Sequence, residues 1–81
     1  MYPPNEHGYI PPKGCWEGID ERFQWRTVDE DGDSYFYGEK PTAGECEWAC
    51  WDRLGCAVLY KGEEDLTIDW TKTLTKRPEG V

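Results

Sequence analysis

Basic residues are scarce in this chain: nine Lys and Arg stand against seventeen Asp and Glu, a net charge of -8. That balance argues against a nucleic-acid ligand, because a phosphate backbone is engaged by clustered cations that displace condensed counterions. The nearest approach to a cluster, Lys72 with Lys76 and Arg77, stands beside Pro78 and Gly80 and reads as a solvated tail. Apolar runs are short, none approaching the roughly 18 to 20 residues of a membrane span, so no membrane insertion is expected. The opening residues YPPNEHGYIPPKG have no positive segment followed by an apolar one, and no secretory signal is expected. The absence of an Asn-x-Ser/Thr acceptor excludes N-glycosylation. There is no Gly-rich phosphate loop and no Ser-His-Asp or Cys-His arrangement in a plausible fold position. A domain of this size also lacks a deep cleft in which one of two carboxylates is raised for glycoside hydrolysis. The expectation is a protein that is not an enzyme and uses no cofactor.

What the chain has in quantity is aromatic area. Five Trp, five Tyr and two Phe occur in 81 residues, and each buried aromatic removes on the order of 150 to 250 Å² from water. A single domain this short buries only about 60 to 65% of its unfolded surface, so its core is marginal and needs a supplement. Four cysteines offer one, since they allow three complete pairings and each bridge contributes roughly 2 to 4 kcal/mol. Oxidised cysteines are the expectation. The expected lack of a secretory signal leaves two readings, an export signal replaced at Met1 or a cytoplasmic protein with reduced thiols.

Along the chain, residues 1–14 hold four of the six prolines and read as an extended Pro-rich arm. Residues 15–75 read as one domain and 76–81 as a flexible tail. FQWRTV, DEDGD and SYFYG form two alternating segments about a turn, which is a hairpin. With Asp29 to Asp33 as its loop, Val28 faces Ser34, Thr27 faces Tyr35 and Trp25 faces Tyr37. Phe23, Trp25, Tyr35 and Tyr37 then share one face, expected to lie under a helix, while Arg26, Val28 and Phe36 share the other. That helix is expected from Thr42, an N-cap with Glu45 as its capping-box partner, to a stop at Gly55. A strand over 56–60 follows, then LTIDWTKTL as a second strand antiparallel to it. The predicted fold class is α+β: a small antiparallel sheet, made of the hairpin and C-terminal strands, packed on one short helix and stabilised by disulfides. The Gly55 turn returns Cys56 to the last helical turn, which pairs Cys50 with Cys56 and, by elimination, Cys15 with Cys46.

The segments Cys46-Glu-Trp-Ala-Cys50, Leu54-Gly55-Cys56 and Ala57 to Tyr60, with YFYGEKPTAGEC upstream, resemble PAN/apple domains over about residues 34–60. The Gly14-Cys15-Trp16 start is similar to that of WSC domains. The chain departs from the PAN/apple pattern after Tyr60 and from the WSC pattern at its closing Cys-x-Cys, because no further cysteine occurs. Both resemblances imply a secreted or cell-surface module that binds glycans or proteins without catalysis.

Two metal sites can be considered. Asp29, Asp31 and Asp33 match the first three carboxylates of an EF-hand loop, but Ser34 stands where its Gly is needed and Lys40 where its bidentate Glu belongs, so an acidic turn is the simpler reading and weak calcium binding the alternative. Cys15, Cys46, Cys50 and Cys56, with or without His7, are poorly spaced for zinc. On the expected helix, Trp48 and Trp51 rotate about 100° per residue away from the cysteine face. They read as anchors for a partner, with Glu45, Glu47 and Asp52 as an acidic rim that favours a basic surface. The packing alternative is that residues 2–12 fold over both rings. The functional expectation is a small non-catalytic module binding a protein or glycan through an aromatic, acidic-rimmed surface. One alternative is an intracellular, phage-type accessory or inhibitor protein with reduced cysteines; another is a metal-stabilised structural domain.

Overall fold

The computed structural model describes residues 2–50 and 57–81. Six strands follow one another: β1 (Trp25–Val28), β2 (Asp33–Tyr37), β3 (Thr42–Ala43), β4 (Trp48–Ala49), β5 (Val58–Glu63) and β6 (Thr75–Lys76), with a single 3-10 turn at Trp70–Lys72 before the last. Four of them form an antiparallel sheet in the order β5-β2-β1-β6, and β3 and β4 form a separate two-stranded ribbon. The β1–β2 hairpin has the expected register, with Trp25 opposite Tyr37, Thr27 opposite Tyr35 and Val28 opposite Ser34. Glu30, Asp31 and Gly32 turn the chain: Gly32 N-H donates to the Asp29 carbonyl (2.9 Å) and Asp29 N-H to the Asp33 carbonyl (2.8 Å).

The expected α+β class is overturned, since no helix longer than that 3-10 turn occurs among the described residues. Where a helix was expected from Thr42, residues 42–49 make the β3–β4 ribbon, with Thr42 opposite Ala49 and Ala43 opposite Trp48. An isolated helix this short is marginal in water, and Gly44 weakens it by about 1 kcal/mol against Ala. The ribbon instead satisfies its backbone from outside: the Trp48 N-H donates to Asp29 Oδ1 (2.9 Å), and Tyr37 Oη donates to the Trp48 carbonyl (3.1 Å). The rest of the expected helix, to Gly55, lies outside the described residues.

The expected C-terminal strand over 66–74 is also corrected. Asp69 Oδ1 accepts from Thr71 N-H (2.9 Å) and turns the chain into the 3-10 segment. Thr73, fully buried, then accepts from the Val28 N-H (2.9 Å), and its hydroxyl lies 2.7 Å from the Trp70 carbonyl and 3.2 Å from the Val28 carbonyl, so its side chain fills the ladder position a strand backbone would occupy. β5 pairs with β2 rather than with this segment.

No disulfide links two described residues. Cys15 and Cys46 are free thiols, which corrects the expected Cys15–Cys46 bridge and leaves the disulfide-stabilised class without a bridge between two described residues. Cys15 packs against the core around Trp16, whereas Cys46 is exposed on the turn of the β3–β4 ribbon. The other expected pairing, Cys50 with Cys56, involves a residue outside the described ones.

The layer that covers the sheet comes from the N-terminal quarter. Trp16 (2% exposed), Ile19, Phe23 and Phe36 form the core cluster, with Tyr2, Cys15, Ala57 and Leu59 packed against it, and Trp16 meets Phe36 edge-on at 4.7 Å. The buried sheet face is therefore the one carrying Arg26, Val28 and Phe36. Residues 2–14 form no helix or strand, but Tyr9 and Pro11 are buried. Asn5 anchors the segment by donating to the Lys72 (2.8 Å) and Leu74 (3.0 Å) carbonyls. Arg26, 3% exposed, donates to Tyr9 Oη and to Glu64 Oε1, both at 2.8 Å, and Tyr9 donates to Glu64 Oε2 at 2.6 Å. The tail is pinned too, because Arg77 donates to the carbonyls of Ile19, Asp20 and Phe23 and lies over the Trp16 ring.

Gly32 joins the hairpin to this node. Its φ is +93° and its carbonyl accepts from the Glu64 N-H (2.8 Å), while a Cβ there would stand 2.7 Å from the Glu64 carbonyl oxygen. Gly32→Ala is expected to cost about 1 to 3 kcal/mol, with Tm falling roughly 4 to 8 °C for each kcal/mol. A variant melting within a degree or two of the parent would show that the turn is not under this constraint.

Candidate functional site

Side chains alternate across a strand, so Thr27, Tyr35, Tyr37, Val58 and Tyr60 occupy the face opposite the core. The β3–β4 ribbon covers one part of it. Tyr37 is 3% exposed there, and Trp48 is 7% exposed, its indole N-H donating to the Trp70 carbonyl (3.3 Å) and its ring meeting Trp70 edge-on at 6.2 Å. The rest of the face is open. Val58 and Tyr60 are 52% and 51% exposed, Tyr35 is half-buried, and the Tyr35 and Tyr60 rings pack at 5.3 Å.

Carboxylates surround this open part. Tyr60 Oη lies 3.5 Å from Asp33 Oδ1, and its phenol is pushed above its ordinary pKa by partial desolvation and then by Asp33 and Glu63. Tyr35 is raised as well, by desolvation first and then by the fields of Asp33, Asp29, Asp31 and Glu47. The Asp29 carboxyl is pushed up by burial, drawn back by the Trp48 N-H, and pushed up again by Asp31, Glu47 and Asp33. The Cys46 thiol, exposed beside the same acids, is raised by desolvation and then by Glu47, Glu30 and Glu45, which suppresses its thiolate form. The site is thus a small aromatic and aliphatic surface at the β2–β5 end of the sheet, ringed by negative charge.

The sequence-predicted residues distribute unevenly over it. Trp48 is not the exposed anchor expected, because the ribbon turns its ring inward against Trp70. Glu45 and Glu47 are exposed on the ribbon, as a rim requires. Trp51 and Asp52 lie outside the described residues. Asp29, Asp31 and Asp33 face different partners, Asp29 Oδ1 accepting from the Trp48 N-H (2.9 Å), Asp31 Oδ1 from the Asp33 N-H (3.0 Å), and Asp33 Oδ1 lying by Tyr60 Oη (3.5 Å). Among the described residues no three His, Cys, Asp or Glu converge on a cation position, and His7 is exposed beside Glu6. No helix among them is long and apolar enough to cross a membrane. Val58 and Tyr60 are the residues that pattern reading passed over, and Tyr35, expected under a helix, stands beside them on the open part of the face. Their signal was the alternation of SYFY against VLY, which places them on one face whichever face is covered.

Comparison with known protein families, curated proteins and solved structures gives no match for this chain. The resemblance to PAN/apple and WSC domains rests on the sequence segments alone.

Burial raises the phenol of Tyr37 to about 12, and raises that of Tyr9 further still. An unfolded tyrosine ionises near pH 10, so above that pH the unfolded chain has released protons that the native state keeps. This contribution to stability is complete below about pH 10 and is lost as pH rises through the folded values. Urea melts at pH 9 and 11 should show the midpoint falling, and Tyr37→Phe should flatten that fall while losing about 1 kcal/mol at neutral pH with its bond to Trp48. A midpoint independent of pH over this range would contradict the assigned burial.

Proposed function

We propose that this chain is a small non-catalytic binding domain that recognises a basic protein surface through Tyr35, Val58 and Tyr60, with Asp31, Asp33, Glu47 and Glu63 as the surrounding acidic rim. The observation that carries this reading is the coincidence, at one end of the sheet, of exposed aromatic area and a ring of carboxylates. Arg and Lys side chains fit such a surface twice over, because the ammonium or guanidinium lies over a tyrosine face and donates to a carboxylate beside it. Rim charges accelerate encounter with a cationic partner, while the central aromatics slow its release. The net charge of -8 acts in the same direction at longer range.

The same tyrosines would suit a glycan, which stacks on aromatic faces. A neutral sugar can donate hydroxyls to the carboxylates but has no charge for them to attract, whereas a cation gains both, and this favours the protein partner. Cys15 and Cys46 as free thiols accord with the accessory or inhibitor form of the reading, in which no bridge between them is required.

A short arginine-rich peptide serves as the probe. The parent should bind it saturably at low salt and more weakly at about 0.15 M, where charges more than about 8 Å apart are screened. Val58→Ser with Tyr60→Ser, both at exposed positions, should leave a cooperative melt and weaken binding about tenfold, or about 1.4 kcal/mol. Equal binding by the parent and the double variant would remove this surface from consideration.

A further inference from the structure

We infer a second site, for a small ring-bearing carboxylate, in the groove between β6, Trp25 and the N-terminal segment. The groove has a volume of about 370 Å³, at the small end of the roughly 300 to 1,000 Å³ found for small-molecule sites. Pro3, Pro4 and Pro78 wall it with rigid apolar rings. Its floor carries Trp25, half-buried, whose partner across the β1–β6 ladder is Lys76. Directly opposed residues of an antiparallel pair present their side chains to the same face, so the Lys76 side chain shares the side on which the Trp25 ring lies. Lys40 reaches the same ring, its Nζ 5.6 Å from the ring centre.

The charge of the groove runs against that of the protein. Neither Lys40 nor Lys76 takes part in an ion pair, although seventeen carboxylates are present in the chain. Among the described residues Glu6 is the only acidic one lining the groove, and it lies beside His7 at 3.7 Å. Two unpaired ammoniums beside an aromatic plane select an anion attached to a flat or ring-shaped body. The ring lies against Trp25, and the carboxylate is drawn to Lys40 and Lys76. The groove is also built rather than incidental, because Asn5 holds the N-terminal wall to the carbonyls of Lys72 and Leu74. Uronic-acid sugars and aromatic acids share this chemistry. The site is independent of the Tyr35–Tyr60 surface, so either can fail without the other.

The test is a titration of the full chain with sodium glucuronate and sodium benzoate, read by the Trp25 indole N-H resonance, with glucose and benzyl alcohol as neutral counterparts and sodium chloride holding ionic strength constant. At least one carboxylate should shift the resonance saturably while its neutral counterpart leaves it in place. Tighter binding of glucuronate assigns the site to acidic sugars, and tighter binding of benzoate assigns it to aromatic acids. The Lys40→Met and Lys76→Met double variant, altered only at exposed positions, should keep the parental melt and bind the preferred carboxylate at least tenfold more weakly. No saturable shift with either carboxylate, or unchanged affinity in the double variant, would overturn the inference.

Discussion

The fold depends on one buried cation. Arg26 enters the core side of the sheet from β1, and taking a guanidinium out of water costs several kcal/mol unless its donors are met. Tyr9 and Glu64 meet them. They come from the N-terminal segment and from the residue after β5, so the same three side chains that neutralise the charge also tie the N-terminal segment and the end of β5 to the central hairpin. The Arg26 guanidinium lies 5.9 Å from the Phe36 ring, while its Nε has no partner. The satisfaction is therefore tight at one end of the guanidinium and incomplete at the other. Such an arrangement specifies which segment covers the sheet more than it stabilises the covered state.

Once that segment is placed, the rest of the surface follows. The core face takes Trp16, Ile19 and Phe23, and among the described residues the two-residue strands of the ribbon cover only part of the opposite face. Those strands bury Trp48 and Tyr37 and leave Tyr35, Val58 and Tyr60 exposed. The acidic hairpin turn and Glu63 then lie beside the uncovered rings, while the two unpaired lysines collect at the β6 edge of the sheet. A chain of one net sign thus presents two local environments of opposite charge.

The register of the hairpin is legible in the sequence, because FQWRTV and SYFYG stand on either side of an acidic Gly-containing turn, although the strands themselves run Trp25–Val28 and Asp33–Tyr37. The division of its side chains between two faces is legible for the same reason. Which face is the interior is not. That is decided by Trp16 and Ile19, which stand in an aperiodic stretch where no pattern marks burial, and by pairings such as Arg26 with Glu64 that are 38 residues apart. The expected helix fails for a related reason: Thr42 and Glu45 are sound local capping signals, but a tertiary acceptor, Asp29, claims the Trp48 N-H. The acidic character of the candidate surface can be read from composition and from the turn. Its aromatic anchors move from the expected helix to the sheet because the ribbon turns Trp48 inward.

The central claim is that the Arg26 node holds the N-terminal segment onto the sheet, and replacing Glu64 alone and then together with Arg26 tests it most directly. Glu64→Ala leaves a buried guanidinium short of its acceptor and should cost about 3 to 5 kcal/mol, whereas Arg26→Met combined with Glu64→Met should recover most of that loss, since apolar residues of similar volume replace buried pairs at little cost. Urea melts followed by tryptophan fluorescence report both the stability and the burial of Trp16. A Glu64→Ala variant with a midpoint close to that of the parent, or a double variant no more stable than the single, would contradict the account.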